Sequence, residues 1–160
     1  MDILEITNVQ KNEIELYNQL CDLTMELYKL LKEEKQKDNL DEKLSEKITK
    51  ILADRQEVIR KIEKSRDYLQ EKYDISSFAD SKLKDNSSAD LYDEIIANNN
   101  AIKDIMMDIK VVDEKANALM QEIFLKLKDK LTNVRENKKA HKAYTYENLS
   151  TDGWFFDQKK

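Results

Sequence analysis

Residues 89–123 read ADLYDEIIANNNAIKDIMMDIKVVDEKANALMQEI, and their spacing decides the fold. Leu91, Ile95, Asn98, Ile102, Ile105, Ile109, Val112, Ala116, Leu119 and Ile123 succeed one another at intervals of four and three. That rhythm lays one row along one face of an α-helix. Leu127, Leu131 and Val134 extend it with a small phase slip. The helix is expected from about Ala89 to Ala140, roughly 75 Å at 1.5 Å per residue.

Two shorter stretches upstream have the same period. Leu16, Leu20, Leu23, Leu27 and Leu30 mark a first helix from about Glu5 to Glu34, its stripe widened by Tyr17, Thr24 and Leu31. After the polar run Lys35–Asn39, Asn39 and Glu42 have capping-box spacing and are expected to open a second helix. Its seam runs Leu44, Ile48, Ile51, Arg55, Val58, Ile62, Ser65 and Leu69, broadened by Leu52 and Ile59, to about Tyr73. A short link predicts an antiparallel pair. Asp74–Asp90 is rich in Ser, Asp and Asn, whose side chains compete for the helical backbone. It reads as a loop with one helical turn, tacked down by Phe78, and Ser87 with Asp90 signals the next helix start. The third helix is too long for its partners, so it bends or splits, most readily at Asn98-Asn99-Asn100, or one end projects. Asn98 falls on the seam, where it either fixes register or drifts toward solvent.

The rest of the composition agrees. The chain has no proline and one glycine, Gly153, among 160 residues. Loops, hairpins and phosphate cradles need one or both. The expected fold is an all-α, antiparallel long-helix bundle of three main helices over residues 1–140, with coiled-coil-like packing. From His141 onward the stripe ends, yet Tyr144, Tyr146, Trp154, Phe155 and Phe156 crowd the last twenty residues.

Most chemistry is excluded on residue types. One histidine, His141, and one cysteine, Cys21, leave no nucleophile–base pair, no zinc set and no disulfide. No catalytic residue, cofactor or metal is expected. Cys21, among apolar helix residues, reads as a buried inert thiol. A net charge of -5 without a concentrated basic face argues against nucleic acid. No helix shows the clearly basic polar face that a membrane-surface role needs, and no stretch is long and apolar enough to span a bilayer. The N-terminus has no signal-peptide pattern. A cytoplasmic protein is the expectation.

Three features remain for function. Arg55, at a core position, either packs its stem and reaches an edge carboxylate or contacts a partner. Ile102, Ile105, Met106, Ile109 and Met120 are either core filler or an adaptable apolar groove for an amphipathic helix. The tail residues Tyr144, Tyr146, Trp154, Phe155, Phe156 and Asp157 either pack on the bundle, dock on another protein, or mask the groove until a partner displaces them.

Two segments resemble a known family. Asp54-Arg-Gln-Glu-Val-Ile-Arg-Lys-Ile62 in the second helix, and Ala143-Tyr144 with Asp152-Gly-Trp-Phe-Phe-Asp-Gln-Lys-Lys160, are similar to the small flagellar secretion chaperones of bacteria. The FliT type resembles the chain most, and the FlgN type nearly as much. The resemblance implies a cytoplasmic binding protein without enzymatic activity. Its partners would be a filament-cap or hook-associated protein, held by its C-terminal helical segment, and the export apparatus. The alternative is a structural or adaptor coiled coil acting by oligomerisation, for which a homodimer is the expected state.

Overall fold

The structure, a computed structural model, describes residues 1–151, with side chains through Lys142. The described residues form an all-α bundle of four helices, α1 (Ile3–Lys35), α2 (Leu44–Tyr73), α3 (Ser81–Asn86) and α4 (Ala89–Thr151), in which α1 packs on both α2 and α4. Two compact units divide the described residues, the second beginning at Met120.

Local chemistry sets the helix ends. Asp2 caps α1 by accepting from Glu5 N at 3.1 Å, and Asp80 caps α3 by accepting from Lys82 N at 2.9 Å. The expected capping box at Asn39 does not form, and α2 begins later, at Leu44. The link is held instead by two carboxylates. Glu34, buried, accepts from Asp41 N at 3.0 Å and from Lys37 Nζ. Asp41 accepts from Lys43 N at 2.9 Å and Lys47 Nζ at 2.5 Å. The Asp41 amide, then the Lys37 ammonium, hold the Glu34 carboxyl below its ordinary range. At the start of α4 it is Ser88, not Ser87, that accepts from a helix amide, Leu91 N at 3.4 Å.

α2 ends in a left-handed cap without glycine. Asp74 has φ 55°, its N–H reaches Gln70 O at 3.0 Å, and Ile75 N reaches Leu69 O at 3.5 Å. Leu69 and Ile75 are both buried, the apolar contact expected of this motif. Aspartate tolerates the left-handed region better than most residues. Its carboxylate is held by Lys82 Nζ and, at 3.1 Å, Gln70 Nε2. The following segment is anchored by Ile75, Phe78 and Leu83, all buried, rather than by Phe78 alone.

The buried row of α1 differs in phase from the row of leucines. Ile3, Ile6, Gln10, Glu13, Tyr17, Leu20, Thr24, Leu27, Leu31 and Glu34 are buried at alternating three- and four-residue spacing. Leu23 and Leu30 lie at its edge, half-buried. Gln10, Glu13 and Glu34 carry the row beyond the expected stripe. α2 keeps its expected seam, with Leu44, Ile51, Val58, Ile62 and Leu69 buried, although Leu52 is exposed. α4 buries Ile95, Ile102, Ile109 and Ala116, one per heptad.

α4 is unbroken at Asn98-Asn99-Asn100 and continues past Ala140 to Thr151. The helix is not split there, and Asn98 stays on the seam. The residue is half-buried and its Nδ2 is buried without a partner. A turn away, Gln10 Nε2 of α1 donates to Ile95 O at 2.9 Å. Arg55 Nη2 donates to Asp113 Oδ2 at 2.7 Å, joining α2 to α4, so its head reaches an edge carboxylate.

At the other end of the α1–α2 pair, Glu5 accepts from Lys72 Nζ at 2.7 and 2.8 Å and from Tyr68 and Tyr73 hydroxyls. The Lys72 bond, then the two tyrosines, lower the Glu5 pKa from 4.5 to about 2. A depressed acid stabilises the fold above its unfolded pKa and loses that contribution as pH falls through the folded one. Glu5→Gln is therefore expected to lower the melting temperature near neutrality, with the gap to wild type closing between about pH 5 and about pH 2. A gap independent of pH in a thermal melt series would contradict this.

Candidate functional site

The expected groove residues do not form one surface. Ile102 and Ile109 are 2% and 9% exposed and belong to the core that includes residues of α1. Ile105 is partly buried against the same core. Met106 is 48% exposed, and its neighbours Met107 and Val111 are exposed as well. Met120 is half-buried and belongs to the second unit. A partner reaching Ile102 would have to open the bundle. The isoleucines are seam, and the methionine beside them is surface.

A different apolar row is open. In the second unit, Phe124 (68% exposed), Leu127, Leu131 (60%) and Val134 face solvent on α4 at spacings of three and four. The row is the seam pattern advanced by one residue after Leu119: Ile123 is buried while Phe124 is exposed. At 100° per residue the four side chains lie within an arc of about 80°. That is the width of a coiled-coil seam, narrower than the face a helix turns to a globular core.

Charge brackets the row. Residues 124–142 hold seven basic residues, Lys126, Lys128, Lys130, Arg135, Lys138, Lys139 and Lys142, against two acidic, Asp129 and Glu136. This stretch carries +5 in a chain of net charge -5. Lys128 and Arg135 flank the row on one side and Lys130 on the other, while Asp129 and Glu136 sit about 160–180° away by the same helical rule. The expectation that no helix has a basic face is corrected here. The imbalance vanished in totals taken over the whole chain.

Clefts open between the helices of the first unit. The one between α1 and α2, about 740 Å³, has Met25, Leu30 and Ile51 among seven charged residues. The one between α1 and α4, about 460 Å³, is lined by Tyr28, Lys32, Lys115 and Leu119 among others. No group of acidic, histidine or cysteine residues suited to a metal ion occurs among the described residues. Cys21 is half-buried, and burial, then Asp108 and Asp22, push its thiol pKa up. That leaves it a poor thiolate.

The most unusual ionisable group is Glu13. It is fully buried in α1, and its Oε2 accepts from Arg66 Nη2 at 3.2 Å and Nε at 3.3 Å. Its Oε1 has no partner. Burial raises its pKa from 4.5, and the Arg66 charge opposes the rise. Gln10 Oε1, Ser65 Oγ and Asn98 Nδ2 are also buried without partners. Arg66, the partner of Glu13, also lines a small pocket with Leu69, Ile75, Ser76, Ser77 and Phe78.

No family model, curated protein or solved structure matches the chain. The likeness to flagellar chaperones therefore rests on its two segments alone. The first, residues 54–62, lies on α2 with Arg55 paired to Asp113 and Val58 and Ile62 in the core. Tyr144 and Tyr146 fall within α4, but their side chains lie outside the described residues, as do Trp154, Phe155, Phe156 and Asp157 altogether. Among the described residues no helix is long and apolar enough to cross a membrane.

Proposed function

We propose that the protein is a non-enzymatic binding protein that holds a helical segment of another protein on the seam of Phe124, Leu127, Leu131 and Val134. On the resemblance of its two segments, it serves as a cytoplasmic flagellar export chaperone. Its client is a filament-cap or hook-associated protein, held by the C-terminal helical segment before secretion. The open row on α4 is the observation that supports this reading. Four apolar side chains at coiled-coil spacing are an incomplete packing arrangement, and a helix of matching period completes it.

The test is calorimetric titration of the full chain with the C-terminal segments of the cap and hook-associated proteins of the same organism. One of them is expected to bind 1:1 with a dissociation constant at or below about 1 μM. Phe124→Asp with Leu131→Asp is expected to weaken it at least about a hundredfold, because central apolar anchors carry most of an interface's energy. If none of these segments binds, the flagellar assignment is wrong. A stable oligomer held by the same four residues favours the adaptor coil instead.

A further inference from the structure

Resting on that reading of the seam, we infer that its partner is an acidic amphipathic helix: leucine-type residues at three- and four-residue spacing, with Glu or Asp on both flanks. In a paired helix, the positions beside the apolar row face the partner and select it by charge. Here those positions are Lys128 and Arg135 on one side and Lys130 on the other, and Lys138 and Lys142 continue the row's line beyond Val134. Lys128, Arg135, Lys138 and Lys142 are all exposed.

The same charges disfavour other occupants. A second copy of this helix, parallel or antiparallel, sets Lys and Arg against Lys and Arg across the seam. An anionic bilayer surface is attracted by the charge, but an interfacial helix buries a broad apolar face. The exposed row spans about 80° and roughly 15 Å along the axis, with Leu125 a single exposed apolar side chain outside it. Its dimensions fit one helix. Its charge fits an acidic one.

The experiment uses the full chain and two labelled peptides of three heptads, both with Leu at the seam positions. One peptide carries Glu at the flanking positions and the other Lys. Fluorescence anisotropy is expected to show the acidic peptide binding on the order of tenfold tighter, with the gap narrowing as salt is raised. Lys128→Glu with Arg135→Glu is expected to reverse the preference, and Phe124→Asp with Leu131→Asp to abolish binding of both. These positions are exposed, so circular dichroism should show the fold unchanged. Equal affinities, or a preference that charge reversal leaves intact, overturn the inference. So does stronger binding to phosphatidylserine vesicles or duplex DNA than to the acidic peptide, or self-association lost on Phe124→Asp. If a flagellar segment binds at the seam while the two peptides do not differ, the charge rule alone fails. If Phe124→Asp with Leu131→Asp leaves the flagellar segment bound, the functional reading of the seam fails.

Discussion

Ile102→Ala is expected to lower the unfolding free energy by about 3 kcal/mol, and Met106→Ala by less than about 0.5 kcal/mol. The two residues lie one helical turn apart, and both were candidates for the same apolar groove. The structure separates them: Ile102 is 2% exposed in the α4 seam, while Met106 faces solvent. Truncating the first leaves a cavity among rigid neighbours, so it loses both transfer energy and contacts. Truncating the second removes little that is buried. Urea unfolding at constant m-value measures both. Similar losses for the two variants would show that α4 is rotated from the position described.

Arg66→Met is expected to cost about 2 kcal/mol near neutral pH, and Glu13→Gln in the same chain to restore most of it. Methionine keeps the packing stem and removes the charge that faces a fully buried carboxylate. Breaking a buried pair costs about 3–5 kcal/mol, but the Arg66 side chain is 43% exposed and solvent screens it, which favours a smaller figure. The pH dependence has a definite sign. The Glu13 pKa is raised above 4.5 in the fold, so its contribution is greatest below the unfolded value and declines as pH rises through the folded one. Without Arg66 the folded value rises further. The cost of Arg66→Met should therefore grow as pH rises from the ordinary carboxylate range towards neutrality. Urea midpoints across that range decide it, and a cost that does not change with pH would show that Glu13 is not the group left unpaired.

The helices themselves were legible because apolar residues repeat at helical spacing and almost nothing in the chain can break a helix. α2 and the first half of α4 emerged with the seam that their isoleucines and valines mark. α1 emerged in part: Leu16, Tyr17, Leu20, Thr24, Leu27 and Leu31 are buried as expected, but the helix serves two neighbours and also places Gln10, Glu13 and Glu34 in its buried row. A polar residue with a partner elsewhere in the fold is invisible to a hydrophobic pattern. Gln10 meets the carbonyl of Ile95, and Glu13 meets Arg66, across sequence separations of 85 and 53. The start of α2 was misplaced for a similar reason: Glu34, seven residues upstream, captures the Asp41 amide. At the candidate site, the spacing of Ile102 and Ile109 fits a core seam and a groove equally, and burial decides for the seam. The phase slip that carries Leu127, Leu131 and Val134 is visible in the sequence, but that it turns Phe124 and this row to solvent is not.

The contact between Gln10 and Ile95 also orders the assembly of the bundle. α1 and α2 are joined by an eight-residue link, whereas α4 must close a loop about ten times longer before Gln10 can reach its carbonyl. With each doubling of loop length costing about 0.6 kcal/mol in entropy, the second closure is harder by roughly 2 kcal/mol. By chain entropy alone the hairpin of α1 and α2 is thus the less costly first pairing, and α4 is expected to close over Gln10 last.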